Sequence, residues 1–277
     1  MTSDRYHDFR LAVGRPEEEI DLGRAALAMA RCDYPDLDVG AYLSHMDQLA
    51  AAATARLGGG LDVYRSIAVL NSVLFQELGF HGNRENYFDP KNSYLNEVLD
   101  RKIGIPISLS VLYMEVAQRI GLPLYGVGFP GHFLVKHRGD NEEILIDPFN
   151  QGEIRSRESL ETMLYRSYGG KIAFDAEFLE ATPKKQILRR MLNNLKIIYL
   201  KQRDLIKGLS VVERLNVLDP TSAEDIRDRG LIYVELECFK QALEDLESYL
   251  RLKPHAEDAN AVREHVAVLT KQVAQIH

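Results

Sequence analysis

The stretch that most constrains the fold of this chain lies between residues 104 and 149. A mostly apolar segment begins at Pro106 and stops before Gly121, as expected for a helix with proline in its first turn and glycine just after its end. Runs rich in strand-forming residues follow at 124–129, 133–137 and 143–146, with a turn at 139–141. His132 precedes the second run and Asp147 ends the third. This order predicts a buried helix beside a small antiparallel sheet, with His132 and Asp147 each at a strand end.

Helices are also predicted on the N-terminal side of this core. Pro16 followed by three glutamates and Asp21 is typical of a helix start, because acids are favoured at the positive end of the helix dipole. Two further helices are expected at 39–57 and 62–78, ended by Gly58-Gly59-Gly60 and Gly79. Residues 81–93 are polar and rich in turn formers, which predicts a loop and a candidate groove wall. A short helix is expected at 94–100.

Composition is typical of a soluble globular protein. Hydrophobic residues make up 45% and charged residues 27% of the 277 positions. A net charge of −7 argues against a nucleic-acid binder or an anionic-membrane binder, because both need clustered Lys and Arg. No apolar run reaches the roughly 18 residues that span a bilayer, and the N-terminus lacks the apolar core of a secretory signal. We therefore expect a cytoplasmic protein without nucleic-acid or membrane partners.

The cysteines indicate neither a disulfide framework nor a metal centre. Cys32 and Cys238 are the two cysteines of the chain, and they stand far apart without a CxxC or Cys/His spacing. We expect no metal and no cofactor. The sequence leaves the oligomeric state open.

The C-terminal third carries an internal repeat. Pro220 and Pro254 are 34 positions apart, which is the tetratricopeptide (TPR) period. The residues that coincide at this offset are Ile198 with Ile232, Tyr199 with Tyr233, Leu209 with Leu243, Glu213 with Glu247 and Leu218 with Leu252. Gly230 and Ala242 are small residues at the signature positions where paired helices approach closely. We predict two TPR-like repeats within 181–277, followed by a capping helix from 256 to about 276.

The central stretch resembles a known family of proteins. Its order is that of a papain-like catalytic core, and its motifs resemble those of the transglutaminase-like superfamily. The matching segments are Gly104-Ile105-Pro106, Gly121-Leu122-Pro123, His132-Phe133-Leu134-Val135 and Ile146-Asp147-Pro148. Residues 92–151, together with the TPR-like tail, more closely resemble the SirB-type bacterial family. The resemblance implies an α+β fold that is mainly helical, with a transglutaminase-like domain over 1–180 and the repeats over 181–277.

The resemblance also places a proline where the family has its nucleophile. Counted back from the Gly-Leu-Pro turn, the family's cysteine falls on Pro106, whose side chain cannot attack a substrate. Ser108 points to the far side of the helix from position 106, whereas Ser110 lies one turn deeper on the same face. Helical serines also often bond to the carbonyl four residues back. Ser110 is therefore the candidate replacement nucleophile, with His132 as base and Asp147 as the residue that orients it.

Two classes of function follow from these residues. The first is a non-catalytic groove and TPR surface that bind a protein or peptide in a regulatory or scaffold role. Candidate binding residues in the core are Tyr94, Asn96, Pro106 and Ser108, with Arg84 and Asn86 in the preceding loop. Ordinary turn chemistry accounts equally well for Arg84, Asn86 and Asn96. The alternative is a hydrolase or acyl transferase, such as a peptidase, amidase or transglutaminase-like enzyme. It would use His132 and Asp147 with a serine nucleophile. Because of Pro106, a cysteine-dependent enzyme is not expected, and we favour the first class.

Overall fold

The computed structural model describes residues 5–58, 62–139 and 142–275. The chain divides into two compact units, Met1–Met191 and Leu192–His277. The predicted glycine helix stop at 59–60 and the turn residues 140–141 lie outside the described ranges, as do the last residues of the expected capping helix. No helix in the described ranges is both long and apolar enough to cross a membrane.

The first unit is built mainly from helices, and three of them begin at aspartate caps. These helices are α1 (His7–Val13), α2 (Leu22–Arg31), α3 (Val39–Leu57), α4 (Val63–Asn71), α5 (Leu95–Arg101), α6 (Pro106–Arg119) and α7 (Arg157–Tyr168). The side chains of Asp21, Asp38 and Asp62 accept hydrogen bonds from the third backbone N–H that follows, which satisfies one free donor of each helix start.

Two predicted helices differ from the observed ones. The predicted start at Pro16 is only a 3₁₀ turn, Glu17–Glu19, because Asp21 supplies the cap and α2 begins at Leu22. The helix expected at 62–78 is α4 followed by a π-helical segment, Ser72–Glu77. Such segments often occur near functional sites, and sequence periodicity does not distinguish them from α-helix.

The unit contains two small sheets. Strands β1 (His81–Gly82) and β2 (Ile103–Gly104) form a parallel pair. Strands β3 (Tyr125–Val127), β4 (Leu134–Arg138), β5 (Glu143–Asp147) and β6 (Glu153–Arg155) form an antiparallel sheet in that order. The first three of these strands confirm the predicted runs, whereas the parallel pair and β6 were not expected. The predicted α+β class, mainly helical with a small antiparallel sheet, is confirmed.

Helix α6 forms the centre of the first unit. Every residue from Pro106 to Ala117 is buried, and the helix contacts α2, α3 and α5 as well as strands β3 and β4. An apolar surface around the whole helix is what a central position requires. Glu115 is its buried charge, and its carboxylate accepts the Gly23 N–H at 2.9 Å near the start of α2.

The chain after Pro183 consists of paired helices. These are α8 (Lys184–Lys201), α9 (Leu205–Leu218), α10 (Ala223–Glu235), α11 (Phe239–Leu252) and α12 (Ala259–Gln275). Arg203 and Glu237 are equivalent positions of the 34-residue repeat, and both have a positive φ, 56° and 57°, in the turn of their helix pair. Gly230 lies against Leu246, where a Cβ would come within 2.8 Å of the leucine side chain. The expected close approach of α10 and α11 is confirmed.

Candidate functional site

His132 and Asp147 form a hydrogen-bonded pair where the two inner strands of the antiparallel sheet begin and end. The register that pairs Val135 with Ile146 brings the start of β4 beside the end of β5. His132 Nε2 lies 2.9 Å from Asp147 Oδ1. The Asp147 side chain is fully buried, whereas 11% of the His132 side chain remains exposed. The two residues that the sequence placed at strand ends are therefore in contact.

Asp147 is held by further donors from the residues that follow it. Asn150 donates to the carboxylate through its backbone N–H at 3.3 Å and its side-chain amide at 2.7 Å. Arg155, at the end of β6, donates through Nε at 3.1 Å and Nη2 at 3.0 Å. Burial by itself raises the pKa of Asp147. The hydrogen bonds and charges of His132, Asn150 and Arg155 outweigh burial and hold that pKa below its ordinary value.

This arrangement fixes the tautomer of a neutral His132. An ionised carboxylate only accepts hydrogen bonds, so His132 Nε2 carries the proton and Nδ1 presents a lone pair. Within the described ranges, no side chain or backbone group hydrogen bonds to Nδ1. Chemically, the ring can take a proton from a ligand at Nδ1, and Asp147 stabilises the cation that forms.

Phe149 packs against the imidazole of His132, and Arg84 packs against Phe149. The rings of His132 and Phe149 meet edge to face, with centroids 5.9 Å apart. Arg84 Cζ lies 5.1 Å from the centroid of the Phe149 ring, and its guanidinium hydrogen bonds to the Asn150 side chain. Gly82 leaves room for the Phe149 ring, which a Cβ at that position would overlap. The loop at 81–93 thus packs against Phe149, the residue whose ring contacts His132.

The start of α6 carries three further predicted site residues of the core, Pro106, Ser108 and Ser110. Pro106 is the first residue of the helix and is buried. Ser108 is fully buried, and its hydroxyl accepts the Ile105 N–H at 3.1 Å and lies 2.6 Å from the Asn92 carbonyl oxygen, to which it donates. The Ser110 hydroxyl, also fully buried, lies 3.5 Å from the Phe133 carbonyl oxygen. No hydrogen bond joins either serine to His132 within the described ranges.

Tyr94 and Asn96 belong to a different set of contacts. The Tyr94 hydroxyl donates to Asp33 Oδ2 at 2.8 Å. Asn96 lines a cavity of about 410 Å³ formed mainly by residues 33–38 and Tyr42. Its buried Oδ1 has no hydrogen-bond partner among the described residues. Asn86 donates its backbone N–H to Asn83 in the 81–93 loop, which is ordinary turn chemistry.

The residues that hold the pair in place were not predicted from the sequence. Asn150 and Arg155 follow the Asp147-Pro148 turn, but nothing in their local pattern marks them as ligands of the carboxylate. Predicting strand β6 would have revealed Arg155, because the pairing of β6 with β5 brings this arginine back to Asp147. No group of three or more His, Cys, Asp or Glu in the described ranges is arranged to hold a metal ion.

A buried helix packed on an antiparallel sheet, with histidine at the start of one strand and aspartate at the end of the next, defines a class of protein. Residues 40–193 match the transglutaminase-like superfamily, and residues 195–267 match the tetratricopeptide repeat. The chain therefore belongs to the transglutaminase-like superfamily, in the SirB and UPF0162 group that joins this domain to TPR repeats.

Several bacterial relatives share nearly the whole chain. A UPF0162 protein of Xylella fastidiosa is 38% identical over 94% of both chains. A UPF0162 protein of Vibrio cholerae is 29% identical over 91% of this chain and 94% of the relative. Protein SirB1 of Salmonella typhimurium is 28% identical over 91% of this chain and 93% of the relative. No solved structure matches the chain. The family predicted from the sequence motifs is confirmed.

Proposed function

We propose that this protein is a non-catalytic member of its superfamily that binds a protein or peptide partner in a regulatory or scaffold role. The observation that carries the proposal is Pro106 at the first position of α6. This is the helix start at which the resemblance places the family's cysteine. A proline ring offers no nucleophile there, and Cys32 and Cys238 lie far from it in sequence.

A groove in the second unit supports partner binding. A cavity of about 340 Å³ is lined by Val234, Phe239, Ala261, Glu264, His265, Val268, Leu269 and Gln272. Its apolar side chains come from α10, α11 and α12, and Val268 is 56% exposed. Repeats of this kind commonly bind peptides on such surfaces, and TPR repeats suggest protein–protein interaction. An extended or helical peptide with an apolar anchor fits this lining.

The test compares two charge-introducing variants on one helix. Val268→Asp puts a carboxylate into the groove, whereas Ala267→Asp puts it on an exposed neighbouring position outside the lining. We expect proteins cross-linked to the wild-type chain in bacterial cells to be recovered with Ala267→Asp and lost with Val268→Asp. Circular dichroism of both variants shows whether the fold is retained. A further variant, His132→Ala, removes the imidazole from the first unit. The proposal would be contradicted if folded Val268→Asp and His132→Ala both recovered the same proteins as the wild type.

The orientation of His132 favours a second candidate function. Its Nε2 is bound to Asp147, and its Nδ1 is without a partner in the described ranges, as a general base requires. A hydrolase or acyl transferase acting on amide or ester bonds would use Ser110 as nucleophile. Turnover of peptide, ester or glutamine substrates that disappears in both His132→Ala and Ser110→Ala would favour this enzyme over the binding protein. No turnover in the wild-type protein would remove it.

A further inference from the structure

A guanidinium lies behind the turn that presents His132. Arg190 of α8 donates to the His132 carbonyl oxygen at 2.6 Å and contacts the Phe129 carbonyl oxygen through both terminal nitrogens at 3.4 Å. Its Cζ lies 5.3 Å from the centroid of the Phe133 ring. These contacts fix the turn. They use only part of the five N–H donors of the guanidinium, and the two contacts with the Phe129 carbonyl oxygen are long.

Among the described residues, no carboxylate pairs with the Arg190 guanidinium. Across residues 5–58, 62–139 and 142–275, it forms no ion pair with Asp or Glu, and its hydrogen bonds go to neutral carbonyl oxygens. Burial lowers the pKa of the Arg190 guanidinium, and the opposing effects come from Tyr87 and Tyr168. A half-buried cation without a counter-ion is costly, so an anion that reaches it is bound with a favourable change in free energy.

Two tyrosine hydroxyls accompany the guanidinium. Tyr87 comes from the 81–93 loop, and its ring packs against that of Phe149 with centroids 6.4 Å apart. Burial raises the pKa of Tyr87, and the charge of Arg190 opposes part of this rise. Tyr168 is the last residue of α7, and its hydroxyl lies 3.0 Å from where a Cβ on Gly131 would be. Gly131 has φ +69°, so glycine serves both the turn and this close approach. Neither hydroxyl hydrogen bonds to any described part of the chain.

We propose that Arg190, Tyr87 and Tyr168 bind one carboxylate group beside the His132 turn. A planar guanidinium matches a carboxylate, and the two hydroxyls supply further donors to its oxygens. The site holds one positive charge, so a singly charged group is neutralised, whereas a phosphate dianion would leave excess negative charge half-buried. The carboxylate belongs to a peptide C-terminus or to a small carboxylic acid. This site goes beyond the partner groove of the second unit, since its three residues all lie in the first unit.

Titration of the full-length ¹⁵N-labelled protein tests this inference. The probes are acetyl-Gly-Gly with a free C-terminal carboxylate, the same peptide as its amide, sodium acetate and inorganic phosphate. We expect the backbone amide signals of Gly131 and His132 to shift saturably with the peptide carboxylate but not with the amide. Weak acetate binding beside strong peptide binding identifies a peptide C-terminus, and equal affinities identify a small acid.

Variants separate this site from a merely structural role of Arg190. Tyr168→Phe removes one hydroxyl and keeps the ring, and we expect it to weaken peptide binding about tenfold. Tyr165→Phe, at a 68% exposed position of the same helix, is the matched control and leaves binding unchanged. Arg190→Lys keeps the charge but loses the planar fork, so it also weakens binding.

Three results would overturn the inference. They are equal shifts with the amide peptide, phosphate binding as strong as carboxylate binding, and wild-type affinity in folded Tyr168→Phe. Partner capture by the groove of the second unit is measured in a separate experiment. Either proposal can therefore fail while the other is supported.

Discussion

At the scale of single residues, the site is organised by one buried carboxylate. Asp147 is fully buried and accepts hydrogen bonds from His132, Asn150 and Arg155. Arg155 is itself mostly buried, with 15% of its side chain exposed, and its charge depends mainly on buried Asp147 because its other partner, Glu153, is exposed. Removing one partner of a buried ion pair leaves the other charge uncompensated, and this costs more than the pair contributes by itself.

Asp147→Asn should therefore destabilise the folded chain severely. We expect the free energy of unfolding in urea to fall by about 3–5 kcal/mol, the usual cost of breaking a buried pair. Glu153→Gln is the matched control, because Glu153 pairs with the same arginine at 3.2 Å but is 57% exposed. A change below about 1 kcal/mol is expected there. Equal losses in the two variants would contradict the importance given to burial.

At the scale of helices, the contact between α2 and α6 depends on a glycine near a helix start. Gly23 is the second residue of α2, and a Cβ there would lie 2.5 Å from Glu115 Oε2. The carboxylate occupies this space because it accepts the Gly23 N–H and also binds Arg119 Nη1 at 2.8 Å. Helix propensity favours alanine over glycine at this position, but tertiary packing forbids it.

Gly23→Ala should consequently destabilise the protein, opposite to the effect that helix propensity predicts. We expect a loss of about 1–3 kcal/mol in urea unfolding, because the carboxylate must move or α2 must shift. Gly40→Ala is the matched control, since Gly40 is also the second residue of an aspartate-capped helix but is exposed. A Cβ there would meet only the exposed Asp38 side-chain oxygen, at 3.2 Å, and this side chain can move slightly into solvent. There the change should be neutral or stabilising by up to about 1 kcal/mol. Stabilisation by both variants would disprove the packing argument.

At the scale of the whole molecule, Asp147 should make stability depend on acidity. Its folded pKa is below its ordinary value, so the stability that it contributes is present above an unfolded pKa of about 3.9. That contribution is lost as the pH falls through the folded pKa. Burial, the largest effect, raises the pKa of the Glu115 carboxyl, so protonation there acts in the opposite direction.

The pH dependence is best measured as a difference between two proteins. We expect the gap in unfolding free energy between wild type and Asp147→Asn to be widest near neutral pH. The gap should shrink as the pH falls below about 4, because protonated Asp147 no longer carries the charge that the variant lacks. Urea unfolding at a series of pH values measures the gap. A gap that is constant from pH 7 to pH 3 would show that Asp147 acts through its shape and not its charge.

Much of the architecture was readable from local sequence patterns. Pro106 and Gly121 predicted the bounds of α6 closely, and the runs around His132 and Asp147 predicted three strands. The 34-residue offset between Pro220 and Pro254 predicted two helix pairs and a capping helix. These features depend on a few neighbouring residues, so periodicity and turn chemistry reveal them.

Other features are decided by residues that are distant in sequence. The parallel pair β1–β2, the π-helical segment after Asn71 and strand β6 have no local signature. Arg155 holds Asp147, and Arg190 supports the His132 turn, only because the tertiary structure brings them there. The sequence by itself determined the order of helix, histidine, aspartate and repeats, since that order is carried along the chain. Only the tertiary structure decided which charges are buried together, because burial and ion pairing depend on the packing of distant segments.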